Sequence, residues 1–100
     1  MTESDIRQIR SHAGHVAGFL KSLANENRLL ILCSLLDGEK CVGDINADLD
    51  ISPSALSQHL AWLREAGMVS SRRQSQTIFY SLADGRVEKT LGLLREMFCA

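Results

Sequence analysis

The apolar positions of this chain recur with two different periods, and the change between them divides it. Ile6, Ile9, Val16, Phe19, Leu20 and Leu23 fall at helical spacing, weakened by Gly14 and Gly18, and predict a first helix from about Ile6 to Leu23. Asn25 is placed to cap a second helix, Glu26 to Leu36, closed by Asp37-Gly38. Its LLILCSLL run is apolar nearly all round, so this helix is expected at the centre of the core. A third, short helix is expected from about Val42 to Leu49, with Val42, Ile45 and Leu49 inward. Ser52 then caps a fourth helix and Pro53 opens it, where a missing donor costs nothing. Leu56, Leu60 and Leu63 give that helix one apolar stripe, and Gly67 ends it. After Gly67 the period drops to two. Ile78, Tyr80 and Leu82 alternate with Thr77, Phe79 and Ser81, predicting two short strands around a tip at Arg73 to Gln76. Asp84 caps a last helix to about Phe98, striped by Val87, Leu91, Leu94 and Phe98.

The expected order is four helices, a β-hairpin and a final helix, in one mainly α domain over residues 1–100. Two helices joined by a short turn, residues about 42–66, form a helix-turn-helix pattern, and a basic hairpin beside it, about 69–82, is a wing. The outer face of the fourth helix carries Ser54, Gln58 and Ala61, with Ser57 on its flank. Small hydroxyls and an amide suit phosphates and base edges in a major groove. The hairpin offers Arg72, Arg73, Gln74 and Gln76 to phosphates or to a narrow minor groove. Ser52, Arg64 and, near the core border, His59 complete the candidate DNA contacts. Either element alone also fits a solvated surface; together they point to double-stranded DNA. The helices at about 6–23 and 84–98 are expected to form the seam of a homodimer. Such readers gain affinity by pairing half-sites about 34–36 Å apart on a palindrome.

Composition changes this picture little. The chain has 100 residues, 45% hydrophobic and 23% charged, which is an ordinary globular balance with a modest core. A net charge of −1 argues against a generic polyanion binder. The charge is uneven, however: between Ile51 and Leu82, Arg64, Arg72 and Arg73 stand against Glu65 alone, which puts a mild positive field on one side. No apolar run approaches about 18 residues, and the polar start MTESDIRQIR lacks a signal core, so a cytoplasmic location is expected.

The cysteines are Cys33, Cys41 and Cys99, an odd number with no CxxC, which excludes a simple stapled scaffold and a four-thiolate zinc site. In a reducing compartment they begin as thiols. His12 and His15, three apart, read as surface or packing residues rather than a metal pair. An enzyme with a peroxide-reducing cysteine is disfavoured. No base–orienter pair surrounds any cysteine, and no glycine loop is built to cradle a phosphate.

The pattern SxxSQHLxxLRxAGxV, from Ser54 to Val69, followed by RRQSQTIFYSL, resembles the ArsR/SmtB family of winged-helix bacterial repressors over roughly Leu23 to Leu82. The resemblance implies a homodimer that binds operator palindromes and lets go when a metal or oxidant alters it. Where arsenic-type members carry two thiols, this chain has Glu39-Lys40-Cys41-Val42-Gly43-Asp44, and one thiolate is a poor grip for a soft metal. Where zinc-type members begin Asp-x-His, it has Asp84-Gly85-Arg86. Neither family metal site is expected, and no cofactor. Cys33 and Cys99 together resemble the thiol-sensing branch, in which reactive sulfur species or oxidants link the pair by a disulfide or polysulfide bridge. Cys99, near the chain end, is then the expected nucleophile and Cys33 the resolving thiol. Two alternatives stay open, a metal-responsive repressor using Cys41 and an anti-repressor that activates by displacing another protein. Many relatives have Gly at the hairpin tip, where this chain has Gln74-Ser75.

Overall fold

Four of the helices, those over Glu3–Ser11, Glu26–Ser34, Pro53–Glu65 and Gly85–Phe98, begin where a side chain accepts a backbone donor that the helix itself cannot satisfy. In the computed structural model, which describes residues 1–99, the Thr2 hydroxyl accepts from the Asp5 N–H at 3.1 Å and the Asp5 carboxylate accepts from the Thr2 N–H at 2.9 Å. This reciprocal box opens α1 (Glu3–Ser11). After His12 comes α2 (Ala13–Leu23). Asn25 accepts from the Arg28 N–H at 3.0 Å and opens α3 (Glu26–Ser34). Strand β1 (Lys40–Cys41), α4 (Val42–Asp48) and α5 (Pro53–Glu65) follow. Then come β2 (Val69–Gln74), β3 (Thr77–Leu82) and α6 (Gly85–Phe98), the last capped by the Asp84 carboxylate.

Three expectations are corrected. The first helix is two, broken at His12, whose backbone sits at φ −112° and ψ 8° outside the helical well. The apolar stripe runs on through the break, so spacing alone did not reveal it. The second helix stops at Ser34, two residues early, in a turn whose Leu36 N–H donates to the Cys33 carbonyl. It is central without being buried all round: Ile31, Leu32 and Leu35 are buried, while Leu30 and Cys33 are exposed.

The sheet has the order β1-β3-β2, all antiparallel. Gln74 pairs with Thr77 across the tip, and Lys40 and Cys41 add a short third strand against Tyr80 and Phe79. Ser75 holds φ 58° at the tip, the position where a two-residue hairpin loop normally wants glycine. Ile31, Leu32, Ile45, Leu56, Leu60, Leu63, Val87 and Leu91 make one core under the sheet and helices. By contrast α1 buries no side chain, and Ile6, Ile9, Val16 and Leu20 lie exposed along the α1–α2 arm. The arm raises the radius of gyration to 15.0 Å, against about 13 Å for a compact chain of this length. Among the described residues no helix is long and apolar enough to cross a membrane.

Candidate nucleic-acid interface and thiol cleft

The placement of α5 is fixed at both ends. Ser52 Oγ accepts from the Ala55 N–H at 3.2 Å, with Pro53 at the first helical position. The Asn46 side chain of α4 donates to the Ile51 carbonyl at 2.8 Å, setting the turn between the two helices. At the far end Gly67 takes φ 77°, its N–H donates to Arg64 and the Met68 N–H donates back to Leu63 at 2.9 Å. This pair of bonds closes the helix and puts Met68 against the core. Leu56, Leu60 and Leu63 are buried, so the opposite face must point outward.

On that outward face Ser54, Ser57, Gln58, Ala61 and Arg64 are exposed, as is Ser52 at its start, and His59 is half-buried at the border. Arg73, Gln74 and Gln76 are exposed on the wing. Arg72 is placed differently. Its guanidinium donates to both Glu39 oxygens at 2.6 and 2.7 Å, donates to Gln74 at 3.0 Å and lies over the Phe79 ring at 4.6 Å. The tie lowers the local positive charge and braces the wing against the segment before β1. It leaves Arg73 as the wing arginine without an ion pair among the described residues.

Hydrogen bonding to Arg72 holds the Glu39 carboxyl below its ordinary value. A lowered folded value means the tie contributes fully at neutral pH and is lost as pH falls through that lowered value. The Arg72 Nε–H resonance should therefore keep its position well into the acid range. It should then move towards that of Glu39→Gln, which lacks the ion pair at every pH; identical titrations of the two would remove it.

Sequence reasoning missed two braces, because each joins residues far apart in the chain. One is Glu39 to Arg72. The other is Arg28, which donates to the Ser22 and Lys21 carbonyls at 3.1 and 2.9 Å and lies over the Trp62 ring at 4.2 Å. Arg28 thus closes α2 and couples the arm to the helix that carries Gln58.

The two remaining sequence candidates, Cys33 and Cys99, border one cleft of about 470 Å³ between α3 and α6. Leu29, Leu30, Leu36, Leu91, Leu94 and Phe98 form its walls, and Asp37 and Arg95 its rim. All three cysteines are free thiols. Loss of solvent raises the Cys33 pKa, and negative charge on Cys99 raises it further. Cys41 lies apart, half-buried in β1 opposite Phe79. His12 and His15 are both exposed, and among the described residues no three His, Cys, Asp or Glu side chains cluster closely enough to share a metal ion.

The sequence profile described as "Bacterial regulatory protein, arsR family" matches residues 25–71. The transcriptional activator HlyU of Vibrio cholerae is 43% identical over 95 residues, which span 95% of this chain and 88% of that protein. The biofilm growth-associated repressor of Agrobacterium fabrum is 42% identical over 98 residues, spanning 98% of this chain and 84% of that one. Among solved structures, the transcriptional repressor BigR from Xylella fastidiosa superposes with a TM-score of 0.88 at 37% identity, covering 100% of this chain and 99% of that one.

Proposed function

The chain belongs to the ArsR family of bacterial regulatory proteins and is a winged-helix transcriptional regulator of that family; from that premise we propose that it is a repressor whose hold on operator DNA is released when reactive sulfur species or oxidants link Cys33 to Cys99. The observation that carries the reading is the shared cleft: two free thiols from distant parts of the chain border one space. In this reading Ser52, Ser54, Ser57, Gln58, His59 and Arg64 face the major groove. Arg73, Gln74 and Gln76 meet the flanking backbone, with Arg72 joining them if its Glu39 tie opens. Two copies pair along α1, α2 and α6. The exposed Ile6, Ile9, Val16 and Leu20, with Leu93 and Met97 of α6, supply the apolar area such a seam needs.

The two kinds of bridge differ in reach. A direct disulfide needs Cα atoms within about 7 Å, and a polysulfide chain spans more. Either bridge would fasten α3 to the end of α6. That would join the core to the proposed seam and alter the separation of the two α5 helices. Moving a regulator from nearly all bound to nearly all free takes a bias of about 5.5 kcal/mol between the two states.

The test is mass spectrometry after treatment with polysulfide and peroxide, run beside a binding titration on a duplex selected from a random pool. The expected result is a Cys33–Cys99 cross-link with simultaneous loss of binding, both abolished in Cys33→Ser and in Cys99→Ser. A cross-link with an unchanged binding curve overturns the reading. Release by a thiophilic metal that survives Cys99→Ser and is lost in Cys41→Ser moves the sensor to Cys41.

A further inference from the structure

The cleft does more than bring two sulfurs together. Its walls are six apolar side chains, and its volume of about 470 Å³ lies in the range that holds small organic ligands. Its charged residues cancel: Arg95 donates to Asp37 at 3.4 Å on the rim, which leaves no excess charge to draw in an anion. Small inorganic oxidants gain nothing from such walls, because they have no apolar surface to bury.

The cleft is also distinct from the proposed seam. At about 100° per residue, Arg86, Thr90, Leu93 and Met97 share one sector of α6. Leu91, Leu94 and Phe98 lie roughly a quarter-turn away. The space beside Arg86 and Thr90 is bordered by His15, Val16 and Phe19 of α2, so the arm and the cleft use different faces of α6. A second copy seated on the first face leaves the second open.

We infer that the cleft is a recognition site for an organic hydroperoxide with an apolar body, held by Leu30, Leu36, Leu94 and Phe98 so that its O–O bond meets the Cys33–Cys99 pair. This inference rests on the thiol-pair reading proposed above. The two thiols favour a two-electron oxidant over an electrophile that caps one sulfur, since oxidising the pair consumes both. The Cys99 thiolate attacks the terminal oxygen. The O–O bond breaks, an S–O bond forms, and the electron pair leaves on the inner oxygen, which takes a proton to become the alcohol. The Cys33 thiol then loses its proton and attacks the sulfenic sulfur. The S–S bond forms, the S–O bond breaks, and hydroxide leaves to take that proton as water. Two thiols and one hydroperoxide give one disulfide, one alcohol and one water.

The experiment uses the full reduced chain with Cys41→Ser as background and follows the disulfide by mass spectrometry. Cumene hydroperoxide and hydrogen peroxide are compared at equal concentration, each rate divided by that of a free cysteine derivative with the same oxidant. Each buried methylene equivalent favours binding by about fourfold, so burial of even part of the ring gives a normalised preference of at least about tenfold for cumene hydroperoxide. Leu30→Gln and Phe98→Gln, both at exposed positions, should bring the ratio of the two normalised rates within each variant near unity; a ratio that stays near the parent value in both overturns the inference. Equal normalised rates in the parent chain, with the bridge still formed by hydrogen peroxide or polysulfide, overturn the inference and leave the thiol reading standing. Failure of every oxidant to join Cys33 to Cys99 overturns both.

Discussion

A chain carrying Gln58→Glu is expected to bind its selected duplex about a thousandfold more weakly than the parent. Gln58 lies mid-way along the exposed face of α5, opposite Leu56, Leu60 and Leu63. An amide there both donates to and accepts from a base edge, and a good contact of that kind discriminates by about 1–3 kcal/mol. A carboxylate loses the donors and faces phosphates of its own sign. In the proposed dimer the change occurs twice, so about 4 kcal/mol, or three powers of ten, is lost. Folding should be untouched, because an exposed substitution away from caps and core usually stays within about 0.5 kcal/mol. Fluorescence anisotropy at fixed salt, with circular dichroism as the folding control, reads both quantities. A dissociation constant within threefold of the parent would remove this face of α5 as the reading surface.

The opposite face of the same helix should respond in the opposite way. Leu60 is fully buried among its core neighbours, and Leu60→Ala removes its contacts and leaves a cavity. Such truncations cost about 2–5 kcal/mol, out of a total stability of about 5–15 kcal/mol for a domain. For a chain of this length the melting temperature should fall by about 10–30 °C. Below that transition, DNA affinity should stay close to the parent value, since Leu60 faces away from the groove. A melting temperature lowered by less than about 3 °C would mean that α5 is not seated as described. The two substitutions lie two residues apart and separate reading from folding.

The helix-turn-helix and the wing were legible because their signals are local. Ser52, Pro53 and Gly67 each act through backbone within a few residues, and each performs the expected task. The strand pairing follows from the alternation between Thr77 and Leu82 and ends at the expected tip. What escaped depends on partners distant in the chain or on geometry without a sequence period. Strand β1 has two residues and exists only because Tyr80 and Phe79 offer a free edge. Arg72 counted as a free charge until Glu39, 33 residues earlier, took it up. The LLILCSLL run read as buried on every side, yet the space between α3 and α6 leaves Leu30 and Cys33 uncovered. Composition records how apolar a helix is but not how many neighbours the fold supplies.

The α1–α2 arm bears on how such a protein is maintained. A nine-residue helix with no buried side chain is marginal on its own, whatever its Thr2 cap contributes. If a second copy covers it, as proposed, the order of the arm depends on encounter between chains, so stability rises with their number. Scarce chains would then carry a frayed end that proteases reach first. Abundant chains would shield one another and persist. The lifetime of the protein would thus depend on its own supply, giving a threshold dose below which it is cleared before it can act.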